Sequence, residues 1–427
     1  MLLAVVLGCG DPAPTRQSSS SGAAAAPSAV APSAPEASAA PSASAAAPAV
    51  DAWLERTLRA GDPRWEGWLA RAEELRLQIL VTIVEPRGAW QVHALRADRE
   101  YFYPASAIKT FLAVAALRVL SRESGGDVPL GSRIIRCADA KPGCEPPKED
   151  EDKEERTEEG RAKHDKLRVG EEIGKMLSYS DNDSYNRLYD IVGHRELNDE
   201  MRALGFSSVG FHHRMSAPAE RSRATPRVIV RPPGKRELVF ARRTSTLDPE
   251  PTPVPGLDIG TSYRDGRGIV DGPMSFATKN YASLRDLQRL NVSLLYPGRP
   301  EGVDLGLSDA QREHLVKSMT TSFSNKKRAA EHSPLSPGVI EIMGDDRVRY
   351  VGKSGRAYGF HLENALIEDK TTGRAFFVTA TVYANPNGVM NDDDYGYDET
   401  TRPLLASLGA ALSRAVFEPG SPDAASP

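Results

Sequence analysis

The stretch S-A-I-K-T-F-L-A-V-A-A-L-R-V-L, Ser106 to Leu120, decides the architecture of this chain. It is apolar nearly all round, and a helix of that kind has to be enclosed by other elements in the middle of a domain. Its first turn breaks the pattern, because Ser106 and Lys109 stand three residues apart and share one helix face. A hydroxyl and an ammonium therefore meet at a helix N-terminus, where backbone N–H groups and the helix dipole favour an anion.

Working outward, the dense β-branched run L-Q-I-L-V-T-I-V (Leu77 to Val84), the turn residues Pro86 to Gly88 and the alternating W-Q-V-H-A-L (Trp90 to Leu95) predict a hairpin. Before it, Trp53, Leu54, Leu58, Trp65, Trp68 and Leu69 recur at helical spacing. After the buried helix, helical patterns resume near Val169, over Tyr185 to Ile191 and over Ser283 to Leu295. Three strand-like runs follow, Val348 to Gly352, Gly359 to Glu368 and Ala375 to Ala384, and a helix over Thr400 to Phe417 closes the pattern. Strands at both ends with helices between them predict an α+β domain over residues 51–417, with one antiparallel sheet built from both ends and helices packed on its faces.

Two insertions interrupt that domain. Residues 137–166 include a charged run, 145–166, without apolar periodicity, which reads as a solvated excursion. Residues 207–275 contain R-V-I-V-R-P-P-G-K-R-E-L-V-F-A-R-R (Arg227 to Arg243), read as two strands turning at Pro232 to Gly234 with arginines on the solvent face. Residues 418–427 form a polar tail.

Ahead of the domain, Met1 to Cys9 is an apolar run ending in V-L-G-C, the form of a bacterial lipoprotein processing site, and residues 10–50 are dominated by Ala, Pro and Ser. The expectation is an exported, periplasmic or outer-envelope protein, lipid-anchored through Cys9 and held off the membrane by a tether. In that oxidising setting Cys137 and Cys144 are expected to pair as a disulfide. A net charge of −4 over 427 residues gives no global pull toward nucleic acid. A small-molecule or peptide substrate is expected, no membrane contact beyond the lipid anchor, and a monomer.

Two more short motifs carry chemistry. Ser180-Asp181-Asn182 falls on an interhelical loop, where a hydroxyl can relay a proton, an amide can hold a carbonyl and a carboxylate can pin the loop. Lys353-Ser354-Gly355 ends the first late strand, where glycine permits close backbone approach and lysine faces an anion. Each motif alone is an ordinary cap or turn. Their joint order, S-x-x-K then S-D-N then K-S-G on helix, loop and strand, resembles the class A β-lactamases and penicillin-binding serine hydrolases.

The resemblance covers roughly Leu77 to Phe417, and Ala277 to Leu290 (A-T-K-N-Y-A-S-L-R-D-L-Q-R-L) is similar to the family's helix between loop and strand. It implies a β-lactamase/transpeptidase-like fold and an acyl-enzyme mechanism on β-lactams or cell-wall peptide-like substrates. Ser106 would be the nucleophile, Lys109 its proton acceptor and Ser180 the proton relay. Asn182 would contact a substrate amide, Lys353 with Ser354 would clamp a carboxylate at Gly355, and Asp181 would hold the loop. The Ser106 and Arg356 backbone N–H groups would form the oxyanion hole. Lys370-Thr371-Thr372-Gly373 is a decoy in a hairpin turn, one residue too long for K-T-G.

One departure stands out: the family's deacylating glutamate, in an E-x-x-L-N stretch after S-D-N, is missing. With Ala203-Leu204-Gly205 aligned to the family's turn, the position falls at Met215 or a neighbour, and Glu220 is the nearest substitute. Acylation is expected, while hydrolysis of the acyl-enzyme is left open between a working β-lactamase, a D-Ala-D-Ala-type peptidase or esterase, and a slowly deacylating binding protein. No cofactor or metal is called for: His212-His213 is an isolated pair, and the acidic run Asn391 to Glu399 lacks metal-loop spacing, so both read as solvated loops.

Overall fold

Strand β1 (Gln78–Val84) pairs antiparallel on one side with β2 (Gln91–Leu95) and on the other with β6 (Ala375–Tyr383), so the two ends of the domain are joined in one sheet. These pairings come from a computed structural model that describes residues 51–85, 89–137, 167–248, 252 and 254–418. The remaining strands are β3 (Val348–Gly352), β4 (Gly355–Ala357) and β5 (Phe360–Asp369). The sheet runs Thr320–Thr321, β3, β5, β6, β1, β2, with β4 paired to β5.

Side chains alternate between two cores, as strand pleating requires. Ile79, Val81 and Ile83 pack on one face against α1 (Ala52–Gly61), α6 (Ser336–Met343) and α7 (Arg402–Phe417). On the other face Thr82 Oγ1 donates to Gln288 Oε1 (2.6 Å) of α5 (Leu284–Leu295), and Gln288 Nε2 donates to the Leu80 carbonyl (3.1 Å). The expected α+β architecture is the one observed.

The apolar stretch that opened the sequence reading forms α2 (Lys109–Glu123), with Phe111 to Leu117 all fully buried. It lies in a core shared with α3 (Val169–Ser178) and α4 (Asn182–Val192). Three expectations change in detail. Ser106 stands in a 3₁₀ turn, Ala105–Ile108, ahead of the α-helix proper. The S-D-N triplet is a helix start rather than a free loop: Asp181 is the N-cap of α4, accepting from the Ser184 amide (2.6 Å), and Asn182 is its first residue. The arginine-rich excursion is three-stranded, because Arg133–Cys137 joins Arg227–Arg231 and Leu238–Phe240, and it buries Val228, Val230 and Leu238 in the main core. Cys9, Cys144, the turn at 86–88 and the charged run 145–166 lie outside the described residues.

Candidate active site

The 3₁₀ turn does for Ser106 what a regular helix would do less directly, since residues three apart eclipse in that geometry and the serine and lysine are brought onto one side. Ala105 takes a left-handed φ of 46°, a conformation that costs a non-glycine residue energy and marks a turn enforced by its surroundings. The enforcing contact is β4. A Cβ added to Gly355 would lie 2.3 Å from the Pro104 carbonyl and 3.0 Å from the Ser106 and Ala107 nitrogens. Only glycine lets that strand press on the turn, and the contact brings the Ser106 amide against the strand that carries Arg356.

Lys109 is fully buried. Its Nζ donates to Asn182 Oδ1 (2.7 Å) and to the Ser180 carbonyl, and lies 3.4 Å from Ser180 Oγ. Burial and the positive charge of Lys353 push it down to about 7, against the pull of Asp181. Lys353 is buried too, and its Nζ donates to Ser180 Oγ (3.0 Å) and to the Ser354 carbonyl (3.1 Å). Burial lowers it to about 8, opposed by the Glu363 carboxylate. The Ser180 hydroxyl thus stands between two lysines, held there by a left-handed φ of 58°. Ser106 is half-buried, and its hydroxyl has no hydrogen-bond partner among the described residues.

Ser106, Asn182 and Arg356 line a cavity of about 660 Å³. Lys109, Ser180, Lys353, Ser354 and Gly355 are not among its lining residues and stand behind that surface. Ser354 turns away from a clamp role in this state, its hydroxyl donating to the His332 carbonyl (2.6 Å). Glu220 is exposed on the short helix Ala219–Ser222 and lies outside the cavity lining.

Of the facing residues, Met215 was expected at the site as the position of the missing glutamate, and the others were not. His213, Met215, Lys279, Asn391, Asp393, Tyr395 and Tyr397 line the cavity; the histidine pair is buried rather than solvated, while the acidic run is an exposed loop that also lines the cavity. His213 is 4% exposed and His212 9%. The segment 212–215 is extended and pinned by two asparagines from distant elements. Buried Asn280 accepts from the His212 and His213 amides (2.8 and 3.1 Å) and donates to the His213 carbonyl (3.1 Å). Asn186 exchanges a pair of bonds with Met215 (3.1 and 3.2 Å). Alternation along an extended chain sends Arg214 to Asp190 while His213 and Met215 face the cavity. A lone Asn after Lys279 gives no sequence signal for such a role.

The Beta-lactamase enzyme family matches residues 86–232, about a third of the chain, spanning the Ser106 and Ser180 motifs and ending before Lys353. Comparison with curated proteins gave no match. Among solved structures, a beta lactamase from Burkholderia vietnamiensis is 13% identical over 85% of this chain and 96% of that one, with a TM-score of 0.49. The beta-lactamase of Streptomyces albus G is 17% identical over 84% of this chain and 99% of its own, with a TM-score of 0.48. Over residues 86–232, which hold the S-x-x-K and S-D-N motifs, the chain is similar to the Beta-lactamase enzyme family.

Proposed function

We propose that the protein is a serine hydrolase that forms an acyl-enzyme at Ser106 on β-lactams or related amide and ester donors. One observation carries the reading: a buried lysine poised near pH 7 stands one 3₁₀ turn from a cavity-lining serine whose hydroxyl is unengaged. A neutral amine keeps two N–H bonds and one lone pair, so Lys109 can hold its carbonyl and amide partners while accepting the serine proton. Ser106 Oγ then attacks the acyl carbon. The developing oxyanion would rest on the Ser106 and Arg356 backbone N–H groups, and Ser180 would hand the proton to the leaving nitrogen, with Lys353 behind it.

A second reading, a binding protein that is acylated and released slowly, is favoured by one feature. The carboxylate on the cavity wall is Asp393, which is exposed, and Glu220 stands off the wall. The lipid anchor at Cys9 and export to the envelope belong to the same proposal, supported by the composition of residues 1–50. Intact mass followed over time with a penicillin and with a neutral activated ester tests the assignment. A stoichiometric adduct mapping to Ser106 is the expected result. An adduct elsewhere, or none with either donor, would refute it.

A further inference from the structure

The fold engages one ring nitrogen of His213 and leaves the other without a partner. Its Nδ1 lies 2.6 Å from the Arg214 carbonyl, which can only accept, so Nδ1 carries the proton and Nε2 keeps its lone pair. That Nε2 is buried and has no hydrogen-bond partner, on a residue that lines the same cavity as Ser106. An unpaired buried acceptor is costly, so its persistence here calls for a use. The neighbours do not compensate it: Tyr103 stacks on the ring (centroids 6.3 Å apart), and Lys279 approaches from the same cavity. Meanwhile the backbone bonds from Asn280 and the anchoring of Arg214 on Asp190 hold the ring in place. Burial, with Lys279 nearby and the Arg214 carbonyl opposing, pushes His213 down to about 4, so it is neutral at pH 7.

We infer that His213 Nε2 is the base that deprotonates the water hydrolysing the Ser106 acyl-enzyme, in place of the carboxylate this chain lacks. The inference rests on the acyl-enzyme reading above. In the step, the water oxygen bonds to the acyl carbon and its proton passes to Nε2. The tetrahedral adduct then collapses, the bond from carbon to Ser106 Oγ breaks, and the imidazolium proton returns to that oxygen. The carboxylic acid leaves and both side chains are restored.

The test is single-turnover mass spectrometry with a penicillin, which reads acylation and deacylation separately. His213→Phe keeps the ring volume and the stack on Tyr103. It should acylate at the wild-type rate, which also reports a folded site, and should hold its adduct about 100-fold longer or more. In His213→Gly, added imidazole should restore deacylation, a rescue that a merely structural role would not give. Deacylation of His213→Phe at the wild-type rate overturns the inference while leaving Ser106 as nucleophile. So does a long-lived adduct in Asp393→Asn with His213→Phe unaffected, since the carboxylate would then be the base. Failure of the wild-type chain to form any Ser106 adduct removes the proposed function, and this inference falls with it.

Discussion

The two walls of the cavity are built by different means. On the motif side, Ser106 lines the cavity while Lys109, Ser180 and Lys353 do not, and all four sit at the ends of regular elements, their spacing following from helix and strand periodicity together with the close approach of Gly355. On the facing wall, His213, Met215 and the Tyr395–Tyr397 loop are irregular backbone, positioned by side chains drawn from far along the chain. The first arrangement suits chemistry that tolerates little displacement. The second suits recognition and the variable part of a mechanism, since loops change with less cost to the core.

On that division, substitutions on the motif side should strike acylation and those on the facing wall should not. Ser106→Ala sits at the extreme: no covalent adduct with any acyl donor, read by intact mass. Lys109→Ala should cut the acylation rate constant by about 100-fold or more, the usual contribution of a positioned base. A comparable loss in acylation from Tyr395→Ala would break the comparison, because that ring lines the facing wall only.

Lys353→Ala sharpens it further. For donors bearing a carboxylate the loss should be about 10- to 100-fold, the worth of a hydrogen bond to a charged group, and for neutral esters it should be small. The pH profile follows from the same two lysines. Acylation needs Lys109 neutral, so the rate should rise as pH passes about 7. Binding of a carboxylate needs Lys353 charged, so for such donors it should fall again above about 8. Neutral esters should show the rising limb alone, and a falling limb with them would contradict the assignment.

Tyr395→Ala is expected to raise KM by about 2- to 10-fold with kcat little changed, the scale of one aromatic contact. The smallest effect belongs to Asp181→Ala. Losing an N-cap should cost about 1 kcal/mol of stability, read from denaturant midpoints, with activity falling only as the turn carrying Ser180 loosens.

Much of this was written locally. The β-branched run of β1, the alternating β2 and the late meander fall where their patterns put them, because strand periodicity is a property of neighbouring residues. The S-x-x-K pair was legible for the same reason, since three residues on a helix or 3₁₀ turn share a face whatever surrounds them. Tertiary structure alone decided three other things. It joined Arg133–Cys137 to the arginine-rich hairpin, a pairing across about ninety positions of chain that no local pattern encodes. It set the exposed acidic run against the cavity, where Asn391, Asp393, Tyr395 and Tyr397 line it. And it made His213 a buried imidazole whose Nε2 has no hydrogen-bond partner. Composition shows only two adjacent histidines, but Asn280 fixes their backbone from 67 residues away, and the desolvation that sets their chemistry exists only once the core has closed around them.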